Sequence, residues 1–233
     1  MRIMAVGAHP DDCELRAGGT LAKYSKAGHE VFTVSVTNGE IGSNLYGMEE
    51  LAKMRKAEAA AAAKVIGGEF ICMDYRDQRF IIDNEVRMAF VDLFRYVNPD
   101  VVLTHCQDDF SADHRLVGQI VNEISMLPMV PNIVTNYQCT HKAPVLYYWM
   151  SSNNIGVIPE QFVDISDVID TKVKMLECYK SQVEWLAYHC KRDMIADNLV
   201  DSKFRGQQAS VEHAEAFVMV KAAPRACCGT LLP

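Results

Sequence analysis

The run Ala8-His9-Pro10-Asp11-Asp12 puts one imidazole and two carboxylates within a single turn. Mixed imidazole and carboxylate ligation with one position left open describes a catalytic zinc site. Pro10 fixes its own φ and biases His9 towards extended backbone, so the turn presents its side chains stiffly, as a metal site requires. In a His-x-x-Asp turn, His9 and Asp12 can both face one ion while Asp11 points elsewhere, free to act on a water as general base. A later stretch, His105, Asp108, Asp109, Asp113 and His114, offers the same chemistry. Asp12, Ser111 and Asp113 also suit helix N-termini as caps and dipole partners, so each stretch alone is ambiguous.

The elements that must position these residues are legible in order. Ile3 to Gly7 is a short apolar run that reads as a buried strand, and ligands of open parallel sheets collect outside the carboxyl ends of strands. Glu14 to Ala27 reads as a helix with Gly28 at its C-terminal cap, and Val31 to Val36 as a second strand. The polar loop Thr37 to Ser43 then carries Glu40 to the same edge. Glu49 to Ile66 is a helix with an apolar stripe, Phe70 to Met73 a strand, and Asp74-Tyr75-Arg76-Asp77 its exit loop. Glu85 to Val97 is a helix stopped by Asn98-Pro99, Val101 to Thr104 a strand, and His105 to Ser111 the loop before an amphipathic helix carrying His114 in its first turn. This alternation predicts an α/β, Rossmann-like, doubly wound and mostly parallel sheet with helices on both faces. Both chemistry-bearing loops then share one edge, which shifts the balance to a metal site. Beyond Pro128 the pattern predicts strands at Val145 to Trp149, Phe162-Val163 and Ala216 to Val220. It predicts helices at Asp164 to Tyr179, capped by Ser166 or Asp167, and at Trp185 to Asn198.

The 233 residues suit one domain, assigned to 1–222, with 223–233 as a patternless tail. The 23 basic and 30 acidic residues leave a net charge of −7, which argues against nucleic acid and anionic membranes as partners and for a small substrate. No apolar run reaches transmembrane length and Met1 leads straight into a strand, so a cytoplasmic location is expected. The eight cysteines, Cys227 among them, form no C-x-x-C pair and read as free thiols, with Cys13 beside the acidic turn a small packing residue. A dinucleotide-binding function is disfavoured, because the first strand leads into His-Pro-Asp-Asp rather than a glycine-rich fingerprint.

Ala8-His9-Pro10-Asp11-Asp12 resembles the signature of the PIG-L/LmbE-like zinc-dependent N-deacetylases. Thr37-Asn38-Gly39-Glu40-x-Gly42, Arg55-x-x-Glu58, Asp113-His114-Arg115, Lys174 leading to Ser181-Gln182, and Glu215-x-Phe217 follow in order, so the likeness spans about residues 2 to 220. The resemblance implies that His9, Asp12 and His114 bind Zn²⁺ and that Asp11 is the general base, in a hydrolase releasing acetate from an N-acetylglucosamine-type sugar. It further suggests Glu40, Arg55, Asp77, His105 and Asp109 as substrate-side or supporting residues, Asp113 as a catalytic residue with Asp11 and Ser111, and a homo-oligomer.

One departure matters. The family usually carries a histidine two residues before the Asp-His or Asn-His pair, and that imidazole is thought to stabilise the oxyanion; here the position is Ser111, in Ser111-Ala112-Asp113-His114. Loss of one oxyanion donor costs about a hundred- to a thousand-fold in rate. Ser111 can donate a weaker hydrogen bond as a catalytic group, or cap its helix. A zinc amidase for another amide, of the thiol-sugar conjugate type, and a non-catalytic carbohydrate- or nucleotide-binding domain that keeps the metal are the alternatives.

Overall fold

The computed structural model describes residues 1–152, 154–223 and 228–233. The strands are β1 (Arg2–Gly7), β2 (Glu30–Thr37), β3 (Glu69–Tyr75), β4 (Val101–Thr104), β5 (Val145–Trp149), β6 (Gln161–Asp164) and β7 (Ala214–Met219). The helices are α1 (Asp12–Lys26), α2 (Met48–Val65), α3 (Asn84–Val97), α4 (Ala112–Ile124), α5 (Ile169–Leu176), α6 (Lys180–Trp185) and α7 (Met194–Ala209). All seven strands form one sheet in the order β3-β2-β1-β4-β5-β7-β6. From β3 to β5 the pairing is parallel, and β7 runs antiparallel to both β5 and β6.

Period-two alternation along β1 supplies both cores. Ile3 and Ala5 pack with Leu21 of α1, Ala62 of α2 and Met175 of α5 on one face, and Met4 and Val6 with Phe90 of α3 and Val121 of α4 on the other. The chain therefore winds away from β1 in both directions, and β1 and β4 are adjacent at the point where the winding reverses. Such a switch point leaves a crevice outside the strand ends. Gly7 closes β1 there because a Cβ would lie 2.7 Å from Asp12 Cβ, so only glycine lets the Asp12 side chain fold over the strand end.

The inner side of helix α1 packs on a buried ion pair. The Glu215 carboxylate accepts the backbone N–H groups of Gly19 (2.9 Å) and Thr20 (2.8 Å), the Thr20 hydroxyl (2.6 Å) and the Lys172 ammonium (2.7 Å). The Leu15 carbonyl takes Lys172 Nζ at 3.1 Å and Asn198 Nδ2 at 2.8 Å.

Two expectations are corrected. The segment expected as one helix over 164–179 ends β6 at Asp164 and continues as a 3₁₀ turn at Ser166–Val168 and then α5, with no side-chain cap from Ser166 or Asp167 on either helical piece. The segment expected as one helix over 185–198 is the end of α6, a π turn at Leu186–Cys190, a left-handed Lys191 (φ 55°), and α7 capped by the Asp193 carboxylate. In the tail, 224–227 with Cys227 lies outside the described residues, while the Leu231 carbonyl accepts the Tyr24 hydroxyl (2.8 Å) and Leu231 N–H donates to the Tyr147 hydroxyl (3.0 Å). The end of the chain is thus docked on α1 and β5. No helix among the described residues is long and apolar enough to cross a membrane.

Candidate functional site

The exit turn of β1 builds the centre of the crevice. Asp12 opens α1 and its Oδ2 accepts the His9 backbone N–H at 2.7 Å, which folds the turn into a closed loop. Closing it leaves Asp11 at φ 124°, ψ −23°, a strained conformation of the kind that gathers at functional sites. Arg55 of α2 holds that strained residue: one Nη donates to Asp11 Oδ2 (3.0 Å) and the Pro10 carbonyl (2.6 Å), the other to the Gly39 carbonyl (3.2 Å). Its guanidinium is buried and directs the Asp11 carboxylate by one charge-assisted hydrogen bond while the two backbone carbonyls fix its own position.

The β4 side closes on this turn. The ligand atoms of His9, Asp12 and His114 all lie within 4.8 Å of one another. His9 Nδ1 is 3.4 Å from Asp12 Oδ2, and His114 Nε2 is 3.5 Å from Asp12 Oδ1. Each imidazole is held from behind by carboxylates: His114 Nδ1 by Asp109 Oδ1 (3.1 Å), and His9 Nε2 by Asp77 Oδ1 (3.2 Å) and Asp113 Oδ2 (3.4 Å). A carboxylate behind an imidazole fixes its tautomer and orientation and raises its basicity as a ligand. Two other triplets satisfy the same distance test, His105/Asp109/His114 and His9/Asp77/Asp113. The first is weakened by His105, whose Nδ1 accepts the Trp149 indole N–H (3.3 Å) and whose Nε2 lies 3.2 Å from Asp12 Oδ2, so that both ring nitrogens already have partners. In the second, Asp113 Oδ2 already takes the Gln78 N–H at 2.9 Å. The His9/Asp12/His114 set joins the β1 turn to α4 and has a carboxylate behind each imidazole, so its donors and backing groups fit a divalent cation.

Electrostatics agrees with that assignment. Burial opposes charge on His9, yet hydrogen bonds with Asp113, Asp12 and Asp77 carry its pKa well above the usual value. Burial likewise opposes charge on Asp12, and His114 and His105 nevertheless hold its carboxyl well below the usual range. A nest of carboxylates that keeps a buried imidazole cationic is a nest suited to a metal cation. Burial pushes Asp11 up to about 6 against the opposing pull of Arg55, near the range useful to a general base. His105, desolvated and beside His114, is lowered to about 4 and stays a neutral ring at pH 7.

Several sequence assignments move. His105 and Asp109, expected towards the substrate, are 1 % and 2 % exposed, the first stacked on His114 at 4.0 Å between centroids and the second bonded to it. Asp113 is buried against His9 and Gln78. Glu40 is bound by Arg76 Nε at 2.7 Å on the β2 and β3 exit loops. Ser111 sits at the N-cap position of α4, half-buried, but its hydroxyl makes no capping bond, and Asp109 Oδ1 accepts its N–H instead (2.9 Å). Gln78, Trp149 and Asn154, whose amide donates to Asp109 Oδ2 (3.3 Å), also shape the site. Their roles depend on strand neighbours, and the sequence carries no signal for them.

A seven-stranded, doubly wound α/β sheet with a His-Asp-His centre at its switch point defines the class. Residues 4–125 match the model of the PIG-L family, described as GlcNAc-PI de-N-acetylase, and the chain belongs to that family. Among curated relatives it is 27 % identical over 192 residues to the diacetylchitobiose deacetylase of Thermococcus kodakarensis, covering 78 % of this chain and 70 % of that one. It is 25 % identical over 197 residues to the 4-oxalmesaconate hydratase of Pseudomonas putida, covering 81 % and 76 %. The solved N,N'-diacetylchitobiose deacetylase of Pyrococcus horikoshii superimposes with a TM-score of 0.81 at 24 % identity, over 94 % of this chain and 83 % of that one. A 4-carboxy-2-hydroxymuconate hydratase from a Pseudomonas superimposes with a TM-score of 0.81 at 23 % identity, over 99 % and 100 %. The structural likenesses establish the fold.

Proposed function

We propose that this chain is a metal-dependent amidohydrolase that removes the acyl group from an N-acylated sugar, giving a carboxylate and an amino sugar. The observation that carries this reading is the convergence of His9, Asp12 and His114 beside an Asp11 that Arg55 aims and burial raises to about 6. His9, Asp12 and His114 would hold the ion, with zinc suited to this donor set. When bound, it supplies Lewis-acid polarisation of the amide carbonyl and lowers the pKa of water. The protein does the rest. Asp11 accepts a proton from the attacking water and returns it to the departing nitrogen, and Arg55 keeps its carboxylate in register throughout. Asp109 on one side, and Asp77 with Asp113 on the other, hold the two imidazoles in position. Ser111, its hydroxyl free of capping duty at the mouth of the β4 loop, is the donor available to the developing oxyanion, and Glu40 with Arg76 forms the opposite rim.

Acetate release from metal-loaded protein on a panel of N-acetyl sugars tests the reading, with one acetate expected per free amine formed. Full metal occupancy with no acetate from any of them overturns it. A second reading, water addition to an unsaturated dicarboxylate, is favoured by the near-complete overlap with a hydratase fold and by the absence of the family's imidazole at Ser111. Activated water and a base serve both reactions. Loss of conjugated absorbance on such a substrate, without acetate from the sugars, selects that reading.

A further inference from the structure

Arg55 joins the Asp11 carboxylate to the Gly39 carbonyl of the β2 exit loop, and a second layer of contacts stands behind all three positions. Three residues beyond Asp11 is Glu14, whose Oε2 accepts the Tyr179 hydroxyl at 2.7 Å. Three beyond Arg55 is Glu58, whose carboxylate accepts the Ser181 N–H (2.8 Å) and the Ser181 hydroxyl (2.7 Å). Three beyond Gly39 is Gly42, whose carbonyl accepts Gln182 Nε2 at 3.3 Å. Each arm of the convergence on Asp11 is therefore tied to one short buried segment, 179–182, at the start of α6.

Arg55 does not set its own position. Its Nε is buried with no hydrogen-bond partner among the described residues, and its Nη groups reach acceptors on two different loops, Pro10 and Asp11 on one and Gly39 on the other. The guanidinium lies against Gly39 and Gly42, where a Cβ would come within 2.4 and 2.6 Å of Nη1. A slot that narrow receives the side chain only if α2 is held at one height and the 39–42 turn stays closed by its Gly42 N–H to Gly39 carbonyl bond of 3.1 Å. The Ser181 contacts with Glu58 fix the first condition and Gln182 supports the second. Tyr179 holds the first turn of α1, from which Asp11 departs. A contact remote from the chemistry controls rate when it controls a distance, and a misplacement of about 1 Å can cost about a hundred-fold.

We infer that Tyr179, Ser181 and Gln182 form a clasp of positioning residues, which act through Glu14, Glu58 and Gly42 to keep Arg55 and the Asp11 carboxylate in register. The rate effect of the clasp rests on the amidohydrolase reading; its effect on the placement of Arg55 does not.

The test compares native full-length, metal-loaded protein with Ser181→Ala and Glu58→Ala, each made also in an Arg55→Lys background. Either change should lower kcat on an N-acetyl sugar roughly ten-fold or more, within the scale of a misplaced catalytic group, while KM and metal content stay near native. Because both act through the guanidinium, adding either one to Arg55→Lys should cost less than about two-fold further, whereas independent sites would repeat the full loss. The Nε–H signal of Arg55 in an NMR spectrum, identified by its absence from Arg55→Lys, should shift in both single variants. A lowered denaturation midpoint with native kcat per folded chain, equal losses in the two backgrounds, loss of the metal, or an unmoved Arg55 signal overturns the inference. If the native protein hydrolyses no N-acetyl sugar the amidohydrolase reading fails, and the Arg55 signal still decides the clasp.

Discussion

Helix α1 carries two buried charged clusters, and they are completed in opposite ways. At its middle, Glu215 is saturated by Lys172, two backbone N–H groups and the Thr20 hydroxyl, all within the chain. At its N-terminus, Asp11, Asp12, Asp77, Asp109 and Asp113 face imidazoles and Arg55, and the balance is reached by keeping His9 protonated. The first arrangement pairs one carboxylate with donors from the chain; the second gathers carboxylates around imidazole nitrogens whose spacing suits a cation. Burying charge is tolerable only with partners, and in the second cluster the partner is a titratable imidazole, which a metal ion can replace as the positive charge.

The contrast can be broken most directly at the metal centre. His9→Ala, Asp12→Ala and His114→Ala should each lose the bound metal and all turnover, as elemental analysis and acetate assay would record; full occupancy in all three removes the assignment. Asp11→Asn should separate chemistry from ligation, keeping the metal while kcat falls by about a hundred- to ten-thousand-fold, the range of a general base. Near-normal activity in that metal-loaded variant excludes Asp11 as the base.

At the finished cluster the effect should be on stability. Removing one partner of a buried pair costs about 3–5 kcal/mol, whereas replacing both with apolar groups of similar volume is often neutral. Lys172→Met should therefore lower the denaturation midpoint far more than Lys172→Met combined with Glu215→Leu, although the backbone donors left by Glu215 will keep some of the loss. Equal midpoints for the single and double variants would mean that the pair is not coupled. The smallest effect is expected at Ser111. Since its hydroxyl caps nothing, Ser111→Ala should leave stability within about 0.5 kcal/mol, the usual range for a surface change. Ser111→His should raise kcat on an N-acetyl sugar roughly ten-fold, within the scale of one oxyanion donor, without changing metal content. A marked loss of stability in Ser111→Ala would restore the capping role.

Where the chain follows elementary patterning, its sequence is a sufficient guide. Val101–Thr104 and Val145–Trp149 are apolar runs bounded by turn residues and appear as strands with those same limits. The His9 turn and the His114 helix start were legible for the same reason: polar, metal-binding residues directly after buried strands. Helix α7 was not. Its buried face is Met194, Asn198, Ser202 and Gly206, spaced four apart but mostly polar or small, so the apolar periodicity that announces a helix is missing. Gly206 belongs to that face because a Cβ would lie 2.5 Å from the Glu212 carbonyl. The antiparallel direction of β7 and the burial of His105 and Asp109 were equally hidden, since both depend on which strands become neighbours.

The position of β1 between β2 and β4 has a kinetic consequence. Arg2 to Gly7 pairs with residues 30–35 on one side and with 101–104 on the other, so His9 and His114 meet only once the distant β1–β4 edge has zipped. Such non-local pairing is slow to form, because loop closure must precede the contacts that reward it. Partly folded chains then hold the His9 turn without His114. Under the proposed ligand set, metal capture would be one of the last events of folding, and an ion that binds the native chain in preference to the unfolded one would favour the finished fold in proportion to its concentration.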